Sequence, residues 1–239
     1  MKYYAVKKGR RIGIFLDWNT CKDQVIGFSG AIYKSFSSIE EAQDFLFENT
    51  NSEFSFKNKS NLYSISEKEY YEAKLNDLLG FIHFVRCSSI YEFEKVDFED
   101  YDMIAYVDGS YGIAEGCYSS GIVIIENTSQ DVKLFQGLVT EKEYAKARNV
   151  SGEILASIYA LNYANKMSYK KIKICHDYEG ISKWYKREWK SNPTNISGLY
   201  LYFKDNYIID INVHFEWVQG HTGVFYNEIA DRLAKMENI

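Results

Sequence analysis

The hydrophobic positions change rhythm along this chain, and each rhythm predicts a different kind of element. Up to about residue 47, short apolar runs alternate with turn residues. Tyr3–Lys7 reads as a strand, Lys-Lys-Gly-Arg-Arg as a turn, Ile12–Leu16 as a strand, Asn19–Val25 as a short helix, Ala31–Phe36 as a strand and Ile39–Phe47 as a helix. This ββαβα unit is too small for a large core, so it should be marginally stable and depend on Tyr4, Phe15, Val25, Ile32 and Phe45 packing together. The rhythm then fades into the polar run Glu48–Asn61, which reads as a flexible tether. Ser66–Phe84 opens with Ser-x-x-Glu and spaces Tyr70, Leu75, Leu78, Leu79 and Ile82 at helical intervals, predicting a spacer helix.

From residue 102 the apolar runs lengthen. Met103–Val107, Gly121–Ile125, Val132–Val139, Lys171–Cys175 and Ile211–Val218 read as strands, the last alternating with Ile211, Val213, Phe215 and Trp217 on one face. Helix Gly152–Lys166 turns Ile154, Leu155, Ile158, Tyr159 and Leu161 toward the sheet. Three antiparallel strands followed by α/β crossovers imply an α/β fold with a mixed five-stranded sheet covered by helices. The expected organisation is a small domain at 1–47, a linker with a helix at 48–101 and a larger domain at 102–239.

Composition narrows this picture modestly. A chain of 239 residues, 46% hydrophobic, holds one ordinary domain plus a small one. No stretch is apolar enough to span a bilayer, and five Lys and Arg interrupt residues 1–11, which argues against a secretory signal. Cys21, Cys87, Cys117 and Cys175 form no CxxC pair and no zinc spacing, so free thiols and a cytoplasmic location are expected, with no membrane and no obligate protein partner. The net charge of -5 argues weakly against a nucleic-acid binder, but its distribution matters more than its sum. Residues 1–38 hold seven Lys and Arg against Asp17 and Asp23, while acids crowd residues 92–102.

Candidate chemistry lies in four acids placed where elements meet one end of the expected sheet. Asp108 ends the first strand of the larger domain, Asp177 follows its fourth, Glu153 opens a helix and Asp231 lies on the last helix. A carboxylate directly after Met103-Ile-Ala-Tyr-Val107 is drawn into partly buried surroundings, where charge is costly unless paired or metal-bound. Several together repel, and a pair of Mg²⁺ ions, which take hard oxygen ligands, offsets that repulsion. Two such ions about 4 Å apart suit phosphodiester hydrolysis. His221, in Gln-Gly-His-Thr-Gly ahead of the Asp231 helix, could shuttle a proton or assist product release.

Four ordered motifs then carry a resemblance. Tyr106-Val-Asp108-Gly-Ser, Asn149-Val-Ser-Gly-Glu153-Ile, Ile174-Cys-His-Asp177 and Trp217-Val-Gln-Gly-His221-Thr-Gly-(x3)-Asn227-Glu-Ile-Ala-Asp231-Arg-Leu-Ala resemble the acidic motifs of the type 1 ribonuclease H family over residues 102–236. The resemblance implies a ribonuclease H-like fold and endonucleolytic cutting of the RNA strand of an RNA/DNA hybrid. It also implies dependence on two Mg²⁺ ions, with Mn²⁺ as an alternative, and products ending in 5'-phosphate and 3'-hydroxyl. It makes Asp108, Glu153, Asp177 and Asp231 the metal-binding catalytic set, with His221 assisting and Asn149 and Asn227 as substrate contacts. Asn227 lies one helical turn before Asp231, so it could equally orient that acid or cap the helix.

Tyr3-Tyr-Ala-Val-Lys-Lys-Gly-Arg, Gly13-Ile-Phe-Leu-(x)-Trp18-Asn-(x)-Cys21 and Gly30-Ala-Ile-Tyr33-Lys34-Ser-Phe36 resemble the hybrid-binding domain found ahead of some ribonucleases H and in caulimovirus viroplasmins. That likeness implies that Trp18 and Tyr33 stack on deoxyriboses, that Lys34 meets phosphate and that Tyr4 belongs to the same contact set. Three departures stand out. Ser35 occupies a position that often holds a second Lys, Val150 one that often holds an amide, and Trp184–Pro193 is shorter than the basic handle of some relatives. Any single acid at a strand end is an ordinary cap or surface charge, and Trp18 and Tyr33 taken singly are ordinary core aromatics. His176 reads as a packing residue. A non-catalytic binding scaffold and another metal nuclease of the same fold are the competing readings, which the complete acid set and the N-terminal module respectively disfavour.

Overall fold

The computed structural model describes residues 2–10, 13–15, 17–37, 41–42, 45, 67–85, 93–112, 116–140, 143–192 and 195–237. The chain divides into two compact units, Met1–Glu67 and Lys68–Ile239. The expected tether Glu48–Asn61 and the thiol of Cys87 lie outside the described residues.

The first unit is built on a three-stranded antiparallel sheet in which β1 (Tyr3–Lys8) lies between β2 (Gly13–Phe15) and β3 (Ile32–Phe36). Helix α1 (Trp18–Val25) starts where the Asp17 side chain accepts a hydrogen bond from the Thr20 amide at 2.9 Å, a cap on otherwise unpaired helix donors. At its other end the Arg10 guanidinium donates to the carbonyls of Asp23 (2.9 Å) and Ile26 (2.7 Å). Val6, Phe15, Cys21 and Val25 form the core, with Tyr4 and Ala31 against it. Ile32, expected in that core, is exposed instead. It pairs with Lys8 beyond a register shift after Val6, which carries it past the end of the packed face. Phe45 packs on Phe36, ring centroids 5.4 Å apart. The helix expected over Ile39–Phe47 falls largely outside the described residues, of which 41, 42 and 45 are helical.

In the second unit, helix α2 (Glu67–Gly80) leads into β4 (Ile82–Val85), and then come β5 (Met103–Tyr111), β6 (Tyr118–Glu126) and β7 (Val132–Val139). A 3₁₀ turn (Ala145–Ala147) precedes α3 (Asn149–Lys166). There follow β8 (Lys171–His176), α4 (Gly180–Tyr185), α5 (Ile196–Tyr207), β9 (Asn212–Trp217) and α6 (Phe225–Ala234). The strands form one mixed sheet in the order β4-β7-β6-β5-β8-β9, with β8 parallel to both β5 and β9 and the other pairs antiparallel. Each face has its own core. Ile154, Leu155, Ile158 and Leu161 of α3 pack with Leu75 and Leu78 of α2 and Leu199 and Phe203 of α5 on one side, and Ile229, Ala230 and Leu233 of α6 pack on the other. Each such side chain, fully buried, contributes about 1.5–3 kcal/mol before entropy is charged against it. Among the described residues no helix is long and apolar enough to cross a membrane.

Three details correct the sequence reading. The sheet has six strands rather than five, because Ile82–Val85 leaves the helix at Gly80 and pairs with β7 at the sheet edge. Helix α2 is therefore no spacer: Tyr71, Leu75 and Leu78 are buried in the main core. Finally, β5 runs past Asp108 to Tyr111, since Gly109, Ser110 and Tyr111 still pair with Ser120, Ser119 and Tyr118.

Candidate active site

Strand register brings the first two acids to one end of the sheet. In the parallel β5–β8 pair, Tyr106 lies beside Cys175, so the chain two residues on carries Asp108 alongside Asp177. Glycines then let two helices close on this point. A Cβ on Gly109 would come within 2.2 Å of the Asn149 carbonyl oxygen and 2.3 Å of the Glu153 nitrogen, and one on Gly152 within 1.9 Å of the Ser119 oxygen. Helix α3 therefore touches β5 backbone to backbone, which sets Glu153, one turn inside the helix, above the strand. On the other face Gly121 pairs with Asp108, and a Cβ there would meet the Ala230 oxygen at 2.0 Å. That contact lowers α6 until the Asp231 carboxyl reaches hydrogen-bond contact with Asp108.

The four acids thus converge, in an environment hostile to charge. Asp108 is 8% exposed; burial, then Asp177, then Asp231 push its pKa up to about 8, against a hydrogen bond of 2.6 Å that Oδ1 accepts from the Gly109 amide. Glu153 is 2% exposed and its pKa is raised well above the usual carboxylate range by burial and by Asp177 and Asp108, although its Oε1 accepts from the Tyr178 amide at 3.2 Å. Burial also raises Asp177. Asp231 is paired with Lys235 at 2.6 Å. Lys235 can offset only one of the four carboxylates once they ionise, and the cluster is a set of hard oxygen donors that fits divalent Mg²⁺ or Mn²⁺.

The loop after β9 completes the surroundings. Gly220 packs on Asp177, so closely that a Cβ there would meet Oδ2 at 2.6 Å, and His221 is exposed with φ +56°, near enough to Asp177 to oppose the rise in that acid's pKa. Ligand atoms of His221, Glu228 and Asp231 lie within 4.8 Å of one another. Glu228, which also accepts from the Gly223 amide at 3.2 Å, was not among the residues the sequence pointed to. The indole of Trp217 donates to the Asp177 carbonyl at 3.0 Å.

Other expected site residues divide. Asn149 is exposed at the first position of α3, accessible to a ligand. Asn227 is 3% exposed and lies inside α6, whose N-cap is Val224, so it does not cap that helix; its side-chain oxygen is buried without a hydrogen-bond partner among the described residues. His176 is buried, edge-on to Phe215, with its pKa lowered to about 4 by burial, which suits a packing residue. In the first unit Trp18 lies between Tyr4 (centroids 5.7 Å) and Tyr33 (5.9 Å), and Trp18 and Tyr33 are 39% and 41% exposed. Lys34, which follows Tyr33 in sequence, is exposed, its ammonium 5.1 Å from the Phe36 ring. The sequence pattern places Gly109, Gly121 and Gly152 at element ends, and only the longer β5, β6 and α3 of the structure put them inside elements, where glycine marks close backbone approach.

Comparisons with known proteins agree with both motif sets. Residues 2–46 match the family model described as Ribonuclease H1 N-terminal domain, and residues 100–238 match the one described as RNase H. Ribonuclease H of Schizosaccharomyces pombe is 26% identical over 98% of this chain and 96% of its own. Ribonuclease H1 of Homo sapiens is 26% identical over 98% of this chain and 88% of its own. Ribonuclease H of Saccharomyces cerevisiae is 55% identical over 53 residues, which are 22% of this chain and 15% of that protein.

Proposed function

This chain belongs to the ribonuclease H family and is a ribonuclease H enzyme, and from that premise we propose that it hydrolyses the RNA strand of RNA/DNA hybrids with Asp108, Glu153, Asp177 and Asp231 holding two divalent cations. The observation that carries this reading is the convergence of four carboxylates, two of them almost wholly buried, of which Asp231 alone is paired with a lysine. Such a cluster is strongly unfavourable unless neutralised. When bound, Mg²⁺ or Mn²⁺ ions would supply that neutralisation together with Lewis acidity at a phosphate.

The chain's own groups have separable tasks. Asp108 and Asp177, fixed by strand register, hold the centre of the donor set. Glu153 and Asp231 approach from opposite faces because glycines admit their helices. His221, on a loop with glycines at 220 and 223, gives a proton from a ring nitrogen to the leaving oxygen as the P–O3' bond breaks, so that this oxygen becomes a 3'-hydroxyl, and recovers a proton from solvent, into which the attacking water releases its own. Water supplies the oxygen that stays on the 5'-phosphate. Asn149 contacts the RNA strand from the exposed start of α3. Trp18 and Tyr33 offer aromatic faces to deoxyriboses, with Tyr4 behind Trp18 and Lys34 meeting phosphate.

The test is cleavage of labelled RNA/DNA hybrid, double-stranded RNA and single-stranded RNA, each with and without Mg²⁺. Hybrid alone should be cut, in Mg²⁺ alone, with 5'-phosphate and 3'-hydroxyl ends. Asp177→Asn should lose cleavage by a factor of about 100 or more while keeping hybrid binding. A near-normal rate in that variant would remove Asp177 from the site.

A further inference from the structure

Helix α3 carries Asn149 and Glu153, yet its start is poorly secured by its own sequence. Arg148 at the N-cap offers no side-chain hydrogen bond and takes φ +55°, ψ −131°. A non-glycine residue with such a φ is strained, and an uncapped helix start leaves its first amides without a side-chain partner. The geometry is kept by a turn. The Tyr144 carbonyl accepts from the Ala147 amide (3.2 Å) and from the Ser151 hydroxyl (2.5 Å), and the Arg148 and Ser151 amides donate to Ala145 (3.0 Å) and Arg148 (3.1 Å). Tyr144 and Ala145 are buried in the core at this turn, and Glu143 just before them takes a further support from outside it.

That support comes from α2, which lies outside the stretch 100–238 that the family model matches. Lys74 pairs with the Glu143 carboxylate at 2.6 Å, and the Tyr70 hydroxyl donates to the other oxygen of the same carboxylate, a bond that raises the pKa of Tyr70. Helix α2 can bear load. Tyr71 stacks on Tyr202 of α5 (centroids 4.3 Å, planes 20° apart), Leu75 and Leu78 are buried, and the Tyr207 hydroxyl donates to Glu72 at 3.3 Å. The pair itself is half-sheltered, the Lys74 and Glu143 side chains being 20% and 34% exposed.

Resting on the roles given above to Asn149 and Glu153, we propose that Glu143, held by Lys74 and Tyr70 of α2, is a positioning residue: it fixes the turn 143–148 and so sets the substrate-facing start of α3. Glu143 touches no substrate in this scheme. Loosening it should spread the positions of Asn149 and weaken hybrid binding more than it slows the chemistry.

The experiment compares the full chain with Lys74→Met/Tyr70→Phe, with Lys74→Arg, which can keep the ion pair, and with Glu143→Gln, which leaves every apolar contact of α2 intact and serves should the double variant fail to fold. Amide hydrogen exchange at Ala147, Arg148 and Ser151 is read beside KM and kcat on an RNA/DNA hybrid in Mg²⁺. Faster exchange at these amides is expected in the double variant and in Glu143→Gln. KM should rise about two- to fivefold, the range carried by a partly sheltered ion pair, with kcat within about twofold and Lys74→Arg close to the parent. Unchanged exchange overturns the proposal, and so does faster exchange with KM and kcat both unmoved. A parent chain that cuts no hybrid would sink the functional reading alone, because exchange at the three amides still decides whether α2 holds the turn.

Discussion

Gly121 sits directly across from Asp108 on β6, and its missing side chain is what allows α6 to descend until Asp231 meets Asp108. A methyl group there would lie 2.0 Å from the Ala230 oxygen and 2.5 Å from the Ala234 nitrogen, both backbone atoms that cannot swing aside. Gly121→Ala should therefore push α6 off the sheet, destabilising the protein by about 2–4 kcal/mol and cutting hybrid cleavage by more than tenfold. Gly80 at the end of α2 gives the contrast: a Cβ there meets nothing within 4 Å, so Gly80→Ala should be neutral or stabilising by about 0.5 kcal/mol. Urea titration of the two variants checks both. Equal stabilities would mean that the Gly121 contact relaxes without cost and does not set the position of Asp231.

At the scale of the element, α3 is held at both ends. Its start rests on Gly109 and the turn before it, and its far end on Glu126, a buried acid at the end of β6. Burial alone would raise the pKa of Glu126, but Lys133 (2.6 Å) and the hydroxyls of Tyr169 and Tyr163 (2.8 Å each) outweigh it and hold the carboxyl below the ordinary 4.5. A depressed carboxylate pKa contributes stability that is present above the unfolded value and lost as pH falls through the folded one. Glu126→Gln should thus cost about 1–3 kcal/mol at pH 7, and the gap between parent and variant should narrow below pH 4.5. A gap independent of pH between 7 and 3 would show that the ionised form contributes nothing.

These element-level supports also mark where sequence reading stops. The apolar run makes β7 legible at Val132–Val139, a strand buried on both faces, and the ends of such runs place the acids at one sheet end. The same periodicity carried Ile82 into the preceding helix, since one apolar residue satisfies both rhythms, and only pairing with Gly137 across β7 makes it a strand residue. Strand β5 looked finished at Val107 because Asp-Gly-Ser resembles a turn, whereas β6 continues to pair with it. Glu228 and the Lys74–Glu143 contact depend on which surfaces meet in three dimensions, information that no local pattern carries.

For the whole molecule, charge and chemistry are divided between two units. The acids that would bind metal lie beyond residue 100, where they repel a polyanion, while seven of the basic residues fall within residues 1–38 against two acids. A chain of net charge -5 that grips nucleic acid must concentrate its attraction, and the first unit is where the concentration lies, beside the exposed faces of Trp18 and Tyr33. Tethering such a unit to a nuclease raises the local concentration of substrate without altering the chemistry. Removing residues 1–47 should therefore raise KM for hybrid about tenfold or more, leave kcat within about threefold and make binding less sensitive to salt, since fewer phosphate contacts release fewer counterions. Steady-state cleavage at 50 and 200 mM salt measures all three. If the shortened chain lost all activity while remaining folded, the first unit would be part of the catalytic machinery rather than a separate grip. If its salt dependence were unchanged, phosphate binding would have to be assigned to the second unit, and the basic excess of residues 1–38 would need another explanation.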